Sequence, residues 1–173
     1  MKQLWAPWRI EYILMEKPKE CIFCVKPREN NDERNLILYR GRYCFIILNL
    51  FPYNNGHLMI APYRHVSSIE DMNNNEIFEM GLLTRASIKL LRKTLNPDGF
   101  NVGFNIGRAA GAGIEEHVHM HIVPRWHGDT NFMPVLGNTK VIPEALKETY
   151  SKLKANIEVI NRELGVQKEQ EDR

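Results

Sequence analysis

His117-Val-His-Met-His-Ile-Val-Pro124 places a histidine at every second position of an otherwise apolar segment. Because successive side chains of a β-strand point to opposite faces, a strand here puts His117, His119 and His121 on one face. The apolar residues between them form the other face. Three imidazoles in strict alternation are hard to explain by packing. The pattern indicates a metal site, a ladder of structural hydrogen bonds, or a nucleophile with flanking partners.

Short β-prone runs on the N-terminal side of this segment predict that it belongs to an antiparallel sheet. Arg40-Gly41-Arg42 separates two of the runs and predicts a hairpin, and polar or glycine-rich loops bound the others. The predicted strands cover residues 36–39, 43–49, 57–61, 100–106 and 117–124.

Two amphipathic helices are predicted around these strands. Asn73-Asn-Asn-Glu76 has the pattern of a capping box, and apolar residues then recur at helical spacing as far as Asn96-Pro97. A second helix is expected to begin at Pro143 and to end at Gly165, because its apolar residues step by four and three. The fold class is therefore α+β, with a central and a C-terminal helix.

The chain is predicted to form a single domain over residues 1–165, followed by a polar tail over residues 166–173. Residues 1–35 form an N-terminal segment that contains a Cys-x-x-Cys motif. Its first 20 residues are rich in aromatic residues and proline and predict no regular element. The polar stretch after the motif, as far as Arg34, is typical of a surface loop.

Composition narrows the classes of protein. The 173 residues carry 23 basic and 21 acidic side chains, a net charge of +2, which gives no reason to expect binding to nucleic acid or a membrane surface. The longest apolar runs, such as residues 44–48, are far shorter than the about 20 residues that cross a bilayer. The first 20 residues lack the apolar core of a signal peptide. Three cysteines make no disulfide framework, so a cytoplasmic location with reduced thiols is expected.

The histidine segment resembles the signature of the HIT (histidine triad) superfamily, His-φ-His-φ-His-φ-φ with φ apolar. Leu48-Asn49, Gly56-His57-Leu58 and Asn105-Ile-Gly107 are similar to the family's earlier motifs. LWAPWR at residues 4–9 and GDTNFMPVLGNTKVIPE at residues 128–144 resemble a bacterial branch that contains dinucleoside-tetraphosphate phosphorylases and related hydrolases. The resemblance extends over nearly the whole chain.

The resemblance implies a five-stranded antiparallel sheet with flanking helices, a homodimer, and cleavage of dinucleoside polyphosphates such as diadenosine tetraphosphate. The middle histidine of the family's triad is the nucleophile, which corresponds to His119. An imidazole suits this role because its ordinary pKa of about 6.5 leaves much of it neutral at pH 7. The nucleotidyl-histidine intermediate then reacts with water in a hydrolase or with inorganic phosphate in a phosphorylase.

The same resemblance assigns the other polar residues of the site. His121 would bind phosphate oxygens or bridge to the leaving group, and His117 completes the catalytic triad. By motif match Asn49 would bind the ribose, while His57 and Asn105 would line the phosphate site.

The loop from Gly107 to Gly113 has two interpretations. The backbone N–H groups around Gly111 and Gly113 could cradle phosphate with help from Arg108, or the loop is a flexible turn. It lacks the Gly-Lys-Ser/Thr ending of a P-loop and the spacing of a dinucleotide fingerprint.

Four charged or titratable residues near the triad remain open. Either Glu115 or Glu116 influences protonation of the leaving group, or both are solvent-facing charges. His127 either contacts the nucleotide or is an exposed loop residue, and Arg125 either anchors phosphate or lies on the surface.

Cys21-Ile-Phe-Cys24 forms either half of a zinc site, a redox pair, or two inert thiols. The redox interpretation needs a βαβ setting that the neighbouring sequence lacks. A closed zinc site needs two more ligands, for which His65 and His117 are available. The resemblance supports structural Zn²⁺, because zinc-bearing HIT proteins use two cysteines and two histidines, one of them first in the triad. Cys44, within an apolar run, is expected to be a buried small side chain.

Alternatives to a dinucleoside polyphosphate hydrolase or phosphorylase follow from the same residues. One is a zinc-stapled nucleotide-binding module with weak or no turnover, since the metal residues make no catalytic demand. Another is a nucleoside phosphoramidate hydrolase. A nucleic-acid binder built on the zinc site lacks a basic helix. The residue types alone do not decide between water and phosphate as the acceptor.

Overall fold

The structure is a computed structural model that describes residues 20–129 and 144–165. Five strands form one sheet in the order β1-β2-β3-β5-β4, and every neighbouring pair is antiparallel. This confirms the predicted sheet and its hairpin. The strands are β1 Ile37–Arg40, β2 Cys44–Leu48, β3 Leu58–Pro62, β4 Gly99–Phe104 and β5 Met120–Arg125.

The helices lie before, between and after the strands. They are α1 Ile22–Val25, α2 Asp32–Asn35, α3 Asn74–Leu95, α4 Leu146–Ala155 and α5 Glu158–Glu163. The capping box at the start of α3 is confirmed: Asn73 Oδ1 accepts from the Glu76 N–H, and the Glu76 carboxylate accepts from the Asn73 N–H. Two of the four unpaired N–H groups of a helix start are satisfied in this way.

The sheet separates two apolar layers of unequal size. β2 is buried on both faces: Cys44, Ile46 and Leu48 point into the larger layer, whereas Phe45 and Ile47 point into the smaller one. The larger layer is completed by side chains of α3, α4 and α5, including Met80, Leu83, Leu90, Leu91, Leu153 and Ile160. The smaller layer contains Phe23 of α1, so the N-terminal segment covers the face opposite the long helices.

The prediction of one continuous C-terminal helix is wrong. Asn156 leaves helical geometry, with φ −106° and ψ 13°, and separates α4 from α5. The break directs α5 onto α3, where Glu163 pairs with Arg85 and Lys89. The described part of this helix begins at Leu146, and the predicted start at Pro143 lies outside the described residues.

The stretch after the Cys-x-x-Cys motif lies largely on the surface, as predicted, but it is not a loop. A 3₁₀ turn over Lys26–Glu29 and then α2 follow the motif, and α1 overlaps it. Arg40 ties this region to β1, because its guanidinium donates to the Asp32 carboxylate and to the Pro27 carbonyl.

The last strand begins at Met120, three residues later than predicted from His117. Before it, the Val118 N–H donates to the Val66 carbonyl rather than to a strand. The predicted alternation of faces nevertheless holds, because Val118 and Ile122 lie in the larger layer while the histidines face the smaller one.

None of the described helices combines the length and the apolar character that crossing a membrane would require. The predicted polar tail over residues 166–173 lies outside the described residues. The single domain over residues 1–165 stays a prediction.

Candidate active site and metal centre

All three histidines of the triad are buried, and the ring of Phe23 packs against two of them, His117 and His119. Their exposed fractions are 0% for His117, 5% for His119 and 8% for His121. In β5, His121 lies opposite Met59 of β3 and Gly103 of β4. The structure thus brings the three histidines together at the start of β5.

A backbone carbonyl holds the ring of His119. Its Nδ1 lies 2.8 Å from the carbonyl oxygen of His117, and because a carbonyl only accepts, Nδ1 carries the hydrogen. The neutral ring then has its lone pair on Nε2, which makes Nε2 the nucleophilic atom. This is the orientation that a nucleophilic imidazole needs.

His57, a fourth buried histidine beside the triad, sets the tautomer of His121. The Tyr53 N–H donates to His57 Nδ1 at 3.0 Å, so neutral His57 carries its hydrogen on Nε2. That Nε2–H donates to His121 Nδ1 at 2.9 Å. His121 consequently carries its own hydrogen on Nε2, where it is a hydrogen-bond donor.

Asn49 and Asn105 lie next to this pair. Asn49 Nδ2 is 3.3 Å from His57 Nδ1, and its Oδ1 accepts from the Phe51 N–H. The Asn105 amide nitrogen is 3.4 Å from His121 Nε2. Rotation of that amide by half a turn presents its oxygen to the Nε2 hydrogen. The roles of Asn49 in ribose binding and Asn105 in phosphate binding stay predictions.

The site favours neutral imidazoles. Burial lowers the pKa of His57 to about 3, with the nearby His121 and His119 adding to the effect. Burial, and next the proximity of His119, lowers the pKa of His121 to about 4. The pKa of His119 is also lowered by burial, although its hydrogen bond to the His117 carbonyl opposes this. At pH 7 all three rings are therefore uncharged.

The first histidine of the triad belongs to a different cluster. Cys21, Cys24, His65 and His117 place one potential ligand atom each within 4.8 Å of one another. His117 Nδ1 is 3.3 Å from Cys21 Sγ and 3.6 Å from Cys24 Sγ. His65 Nδ1 is 3.4 Å from Cys24 Sγ. These four residues could hold a metal ion.

The donor set and its spacing fit tetrahedral zinc. With Zn–S of about 2.3 Å and Zn–N of about 2.05 Å, a tetrahedron separates sulfur from nitrogen by about 3.5 Å. The observed separations of 3.3 to 3.6 Å bracket this value. His117 Nε2–H donates to the Pro62 carbonyl at 2.9 Å, which leaves Nδ1 free to bind metal.

The glycine loop over residues 107–113 is mostly exposed. Gly111 is exposed with φ +84°, its N–H donates to the Arg108 carbonyl, and Gly113 is also exposed. Among the described residues, no hydrogen bond joins either glycine to the triad, so their role in binding phosphate stays a prediction. Arg108 pairs with Glu115 across the loop, and Glu116 is exposed.

The remaining polar residues near the triad have structural partners. His127 is an exposed loop residue whose side chain is 95% accessible and pairs with Asp98. Arg125 forms an ion pair with Asp129. Cys44 is fully buried, as predicted, and burial raises the pKa of its thiol to about 12.

Two residues of the site were missed by the sequence reasoning. Tyr53 supplies the N–H that orients His57, and its half-exposed ring lies 5.5 Å from the His121 ring with an interplanar angle of 23°. Phe23 packs its ring against His119. An aromatic residue inside the Cys-x-x-Cys motif and another just before the Gly-His motif were the available signals.

A five-stranded antiparallel sheet with flanking helices and a buried row of three histidines defines the class of histidine-triad proteins. The chain belongs to the HIT family: the pattern of the HIT domain matches residues 30–128. The chain is also 40% identical over 157 residues to a protein of Mycobacterium tuberculosis named AP-4-A phosphorylase, covering 86% of this chain and 80% of that protein.

Solved structures agree with this fold. A hypothetical histidine triad nucleotide-binding protein from Sulfolobus tokodaii is 28% identical, with a TM-score of 0.64 over 82% of this chain and 93% of that one. A zinc-bound histidine triad family protein from Mycobacterium smegmatis is 23% identical, with a TM-score of 0.67 over 83% of this chain and 96% of that one.

Proposed function

We propose that the protein is an enzyme that cleaves dinucleoside polyphosphates such as diadenosine tetraphosphate through a covalent nucleotidyl-His119 intermediate, with inorganic phosphate as the acceptor. The observation that carries this proposal is the pair of oriented rings. His119 holds a lone pair on Nε2, and His121 beside it holds a hydrogen on Nε2. The two ring centroids are 4.7 Å apart. The name of the 40% identical relative supports phosphate rather than water.

In the first step His119 Nε2 attacks the α-phosphorus of diadenosine tetraphosphate. An N–P bond forms while the P–O bond to the other three phosphates breaks, so ATP leaves and AMP stays attached to the ring. The Nε2–H of His121 hydrogen-bonds the oxygen on which the leaving group's charge develops. The carbonyl of His117 stabilises the positive charge that the His119 ring acquires.

In the second step an oxygen of inorganic phosphate attacks the same phosphorus. The N–P bond breaks, its electron pair returns to His119 Nε2, and ADP is released. The sum is diadenosine tetraphosphate plus phosphate giving ADP plus ATP. With water in place of phosphate, the products are AMP and ATP.

The test is to incubate the protein with diadenosine tetraphosphate, with and without inorganic phosphate, and to separate the products by chromatography. We expect equal amounts of ADP and ATP, formed only when phosphate is present. AMP and ATP in the absence of phosphate would identify a hydrolase instead. Binding without turnover of any dinucleoside polyphosphate would support the nucleotide-binding module, and turnover of adenosine phosphoramidate alone would support a phosphoramidate hydrolase.

We also propose that the metal ion is zinc, held by Cys21, Cys24, His65 and His117. When bound, zinc would cross-link the Cys-x-x-Cys motif to His65 just after β3 and to the triad, a structural role in which the metal contacts no substrate. Thiolate ligands need a reducing compartment, which supports the cytoplasmic location. Metal analysis of protein purified without chelator should find about one zinc ion per chain.

A homodimer is proposed from the exposed edge of the sheet. β4 pairs with β5 on one side, and its middle residues Asn101, Val102 and Gly103 are exposed. Val102 keeps 43% of its surface accessible, and an open edge with an apolar residue favours pairing with a second copy. Light scattering after size exclusion should give twice the chain mass. A nucleic-acid partner is not part of the proposal, given the net charge of +2.

A further inference from the structure

Phe23 connects the two halves of the site. It lies in α1, between the metal-cluster residues Cys21 and Cys24, and it is fully buried. Its ring centroid is 4.7 Å from that of His119, with an interplanar angle of 37°, and 5.3 Å from that of His117. One aromatic ring therefore touches a residue of the metal cluster and the nucleophile.

The hydrogen bond of His119 leaves its ring able to tilt, and packing against Phe23 restricts that tilt. The bond from Nδ1 to the His117 carbonyl is a single hydrogen bond on a ring that is otherwise held through its Cβ. Small coupled rotations about χ1 and χ2 can keep this bond and still tilt the ring, which moves Nε2, the atom that must face the phosphorus. A ring packed against the imidazole restricts these rotations, because interior side chains are packed without room for a second orientation.

The position of Phe23 in turn depends on its neighbours. Its ring is 6.4 Å from that of Phe45, which stacks on Tyr63 at 5.3 Å with an interplanar angle of 29°. Its backbone belongs to a helix of only four residues, which is too short to be stable without tertiary contacts. The cysteines on both sides of Phe23 are the two points at which a metal ion would anchor this helix.

We propose that Phe23 is a positioning residue: metal bound by Cys21 and Cys24 holds the Phe23 ring against His119 and so keeps Nε2 aimed at the α-phosphorus. The proposal rests on the proposed function for its effect on rate. Its structural part, the link from metal to Phe23 to the His119 ring, stands independently. The metal thus affects the reaction without contacting substrate.

The first test observes the His119 ring in the ligand-free protein by NMR, with the ring signals assigned by their loss in the His119→Asn variant. A phenyl ring at this distance shifts the imidazole signals. We expect Phe23→Leu to move them towards ordinary values and a chelator to move them the same way in the wild type. Unchanged His119 signals after removal of the metal from the wild type would overturn the proposal, whatever the variants do.

The second test compares kcat and KM for diadenosine tetraphosphate with saturating phosphate. We expect Phe23→Leu to lower kcat at least about tenfold with KM changed by less than about threefold, because a displaced reacting atom costs rate rather than binding. Phe100→Leu is the matched control, since it makes the same change in the larger layer, on the opposite face of the sheet from Phe23 and His119. It should keep kcat within about threefold.

The third test asks whether the metal and the Phe23 ring affect kcat through the same contact with His119. Removing the metal should lower the kcat of the wild type but add little to the loss already present in Phe23→Leu. Equal losses in both proteins would contradict the proposal. Phe23→Met, which fills a similar volume, serves as a second variant if Phe23→Leu does not fold. If the wild type turns over no dinucleotide, the proposed function fails, and the NMR test still decides the structural link.

Discussion

His117 and His119 carry the same side chain but have different proposed roles, and the difference lies in which ring nitrogen donates to a backbone carbonyl. At one end, His117 gives its Nε2–H to the Pro62 carbonyl and keeps Nδ1 for the cluster with Cys21 and Cys24. In the middle, His119 gives its Nδ1–H to a carbonyl and keeps Nε2 for substrate. The ring nitrogen that each backbone carbonyl engages thus decides which nitrogen is left for the metal in His117 and for the phosphorus in His119.

His121 differs from both because its hydrogen-bond partner is the side chain of His57 rather than a backbone carbonyl. His121 accepts at Nδ1 from His57, so it presents a donor where its neighbour His119 presents a lone pair. A base and an acid then lie side by side without any charge at pH 7. Burial, which lowers the pKa of both rings, excludes the charged forms that would make them equivalent.

The largest expected effect comes from removing the nucleophile. His119→Asn should lower kcat for diadenosine tetraphosphate on the order of 10⁴-fold, because the covalent path is lost. His127→Asn is the control, since that exposed histidine lies outside the triad and should leave the rate unchanged. Radiolabelled nucleotide should remain attached to wild type that is denatured at alkaline pH, where the N–P bond of a nucleotidyl-histidine is stable, and not to the variant. A variant within tenfold of the wild-type rate would remove His119 from the mechanism.

At the metal end, the expected loss is in stability before activity. Replacing Cys21 and Cys24 together by serine should abolish zinc binding and lower the free energy of unfolding. A ligand present at about a thousand times its Kd contributes about 4 kcal/mol. Metal analysis and urea denaturation measure the two effects. Cys44→Ala removes the third thiol, which lies outside the cluster, and should keep the full metal content. Metal retained without Cys21 and Cys24 would contradict the assignment.

The different roles of the three histidines could be predicted from the sequence only in part. Alternation placed the triad on one face, and Cys-x-x-Cys located half of the metal cluster, because both depend on residue type and local spacing. His65 and His117 lie 41 and 93 residues beyond Cys24, and their choice depended on the resemblance to zinc-bearing HIT proteins. The tautomers depend on groups far along the chain: the Pro62 carbonyl is 55 residues from His117. No local pattern encodes such a contact. The helix break at Asn156 was missed for a similar reason, since contacts between α5 and α3 override the helical periodicity.

A smaller loss is expected from disturbing the partner of His121. His57→Leu removes the Nε2–H donor, so His121 is free to adopt the other tautomer, and kcat should fall about a hundredfold. His57→Gln keeps an N–H donor and should recover part of the rate. Steady-state kinetics at pH 7 measure both variants. Equal rates for the leucine and glutamine variants would show that His57 acts by filling space rather than by orienting His121.

The smallest expected effect tests whether the buried imidazoles are uncharged, as the proposed roles of His119 and His121 require. The pKa values of about 3 for His57 and about 4 for His121 lie below the ordinary value of about 6.5, so the unfolded chain binds more protons between these limits. The free energy of unfolding should therefore fall as the pH is lowered from 7 to 5, by at most about 1.4 kcal/mol per pH unit for each buried histidine. Glu76 and Glu144, whose pKa values are lowered by hydrogen bonds to Arg64 and Lys152, add to the fall as the pH approaches 5, so the histidine contribution is taken from a comparison with a variant. Urea denaturation at pH 7, 6 and 5 measures the slope, and His57→Leu should make it shallower because one such histidine is gone. A slope that is flat or reversed in the wild type would mean that the rings accept protons in the folded state, and an imidazolium has no lone pair with which to attack phosphorus.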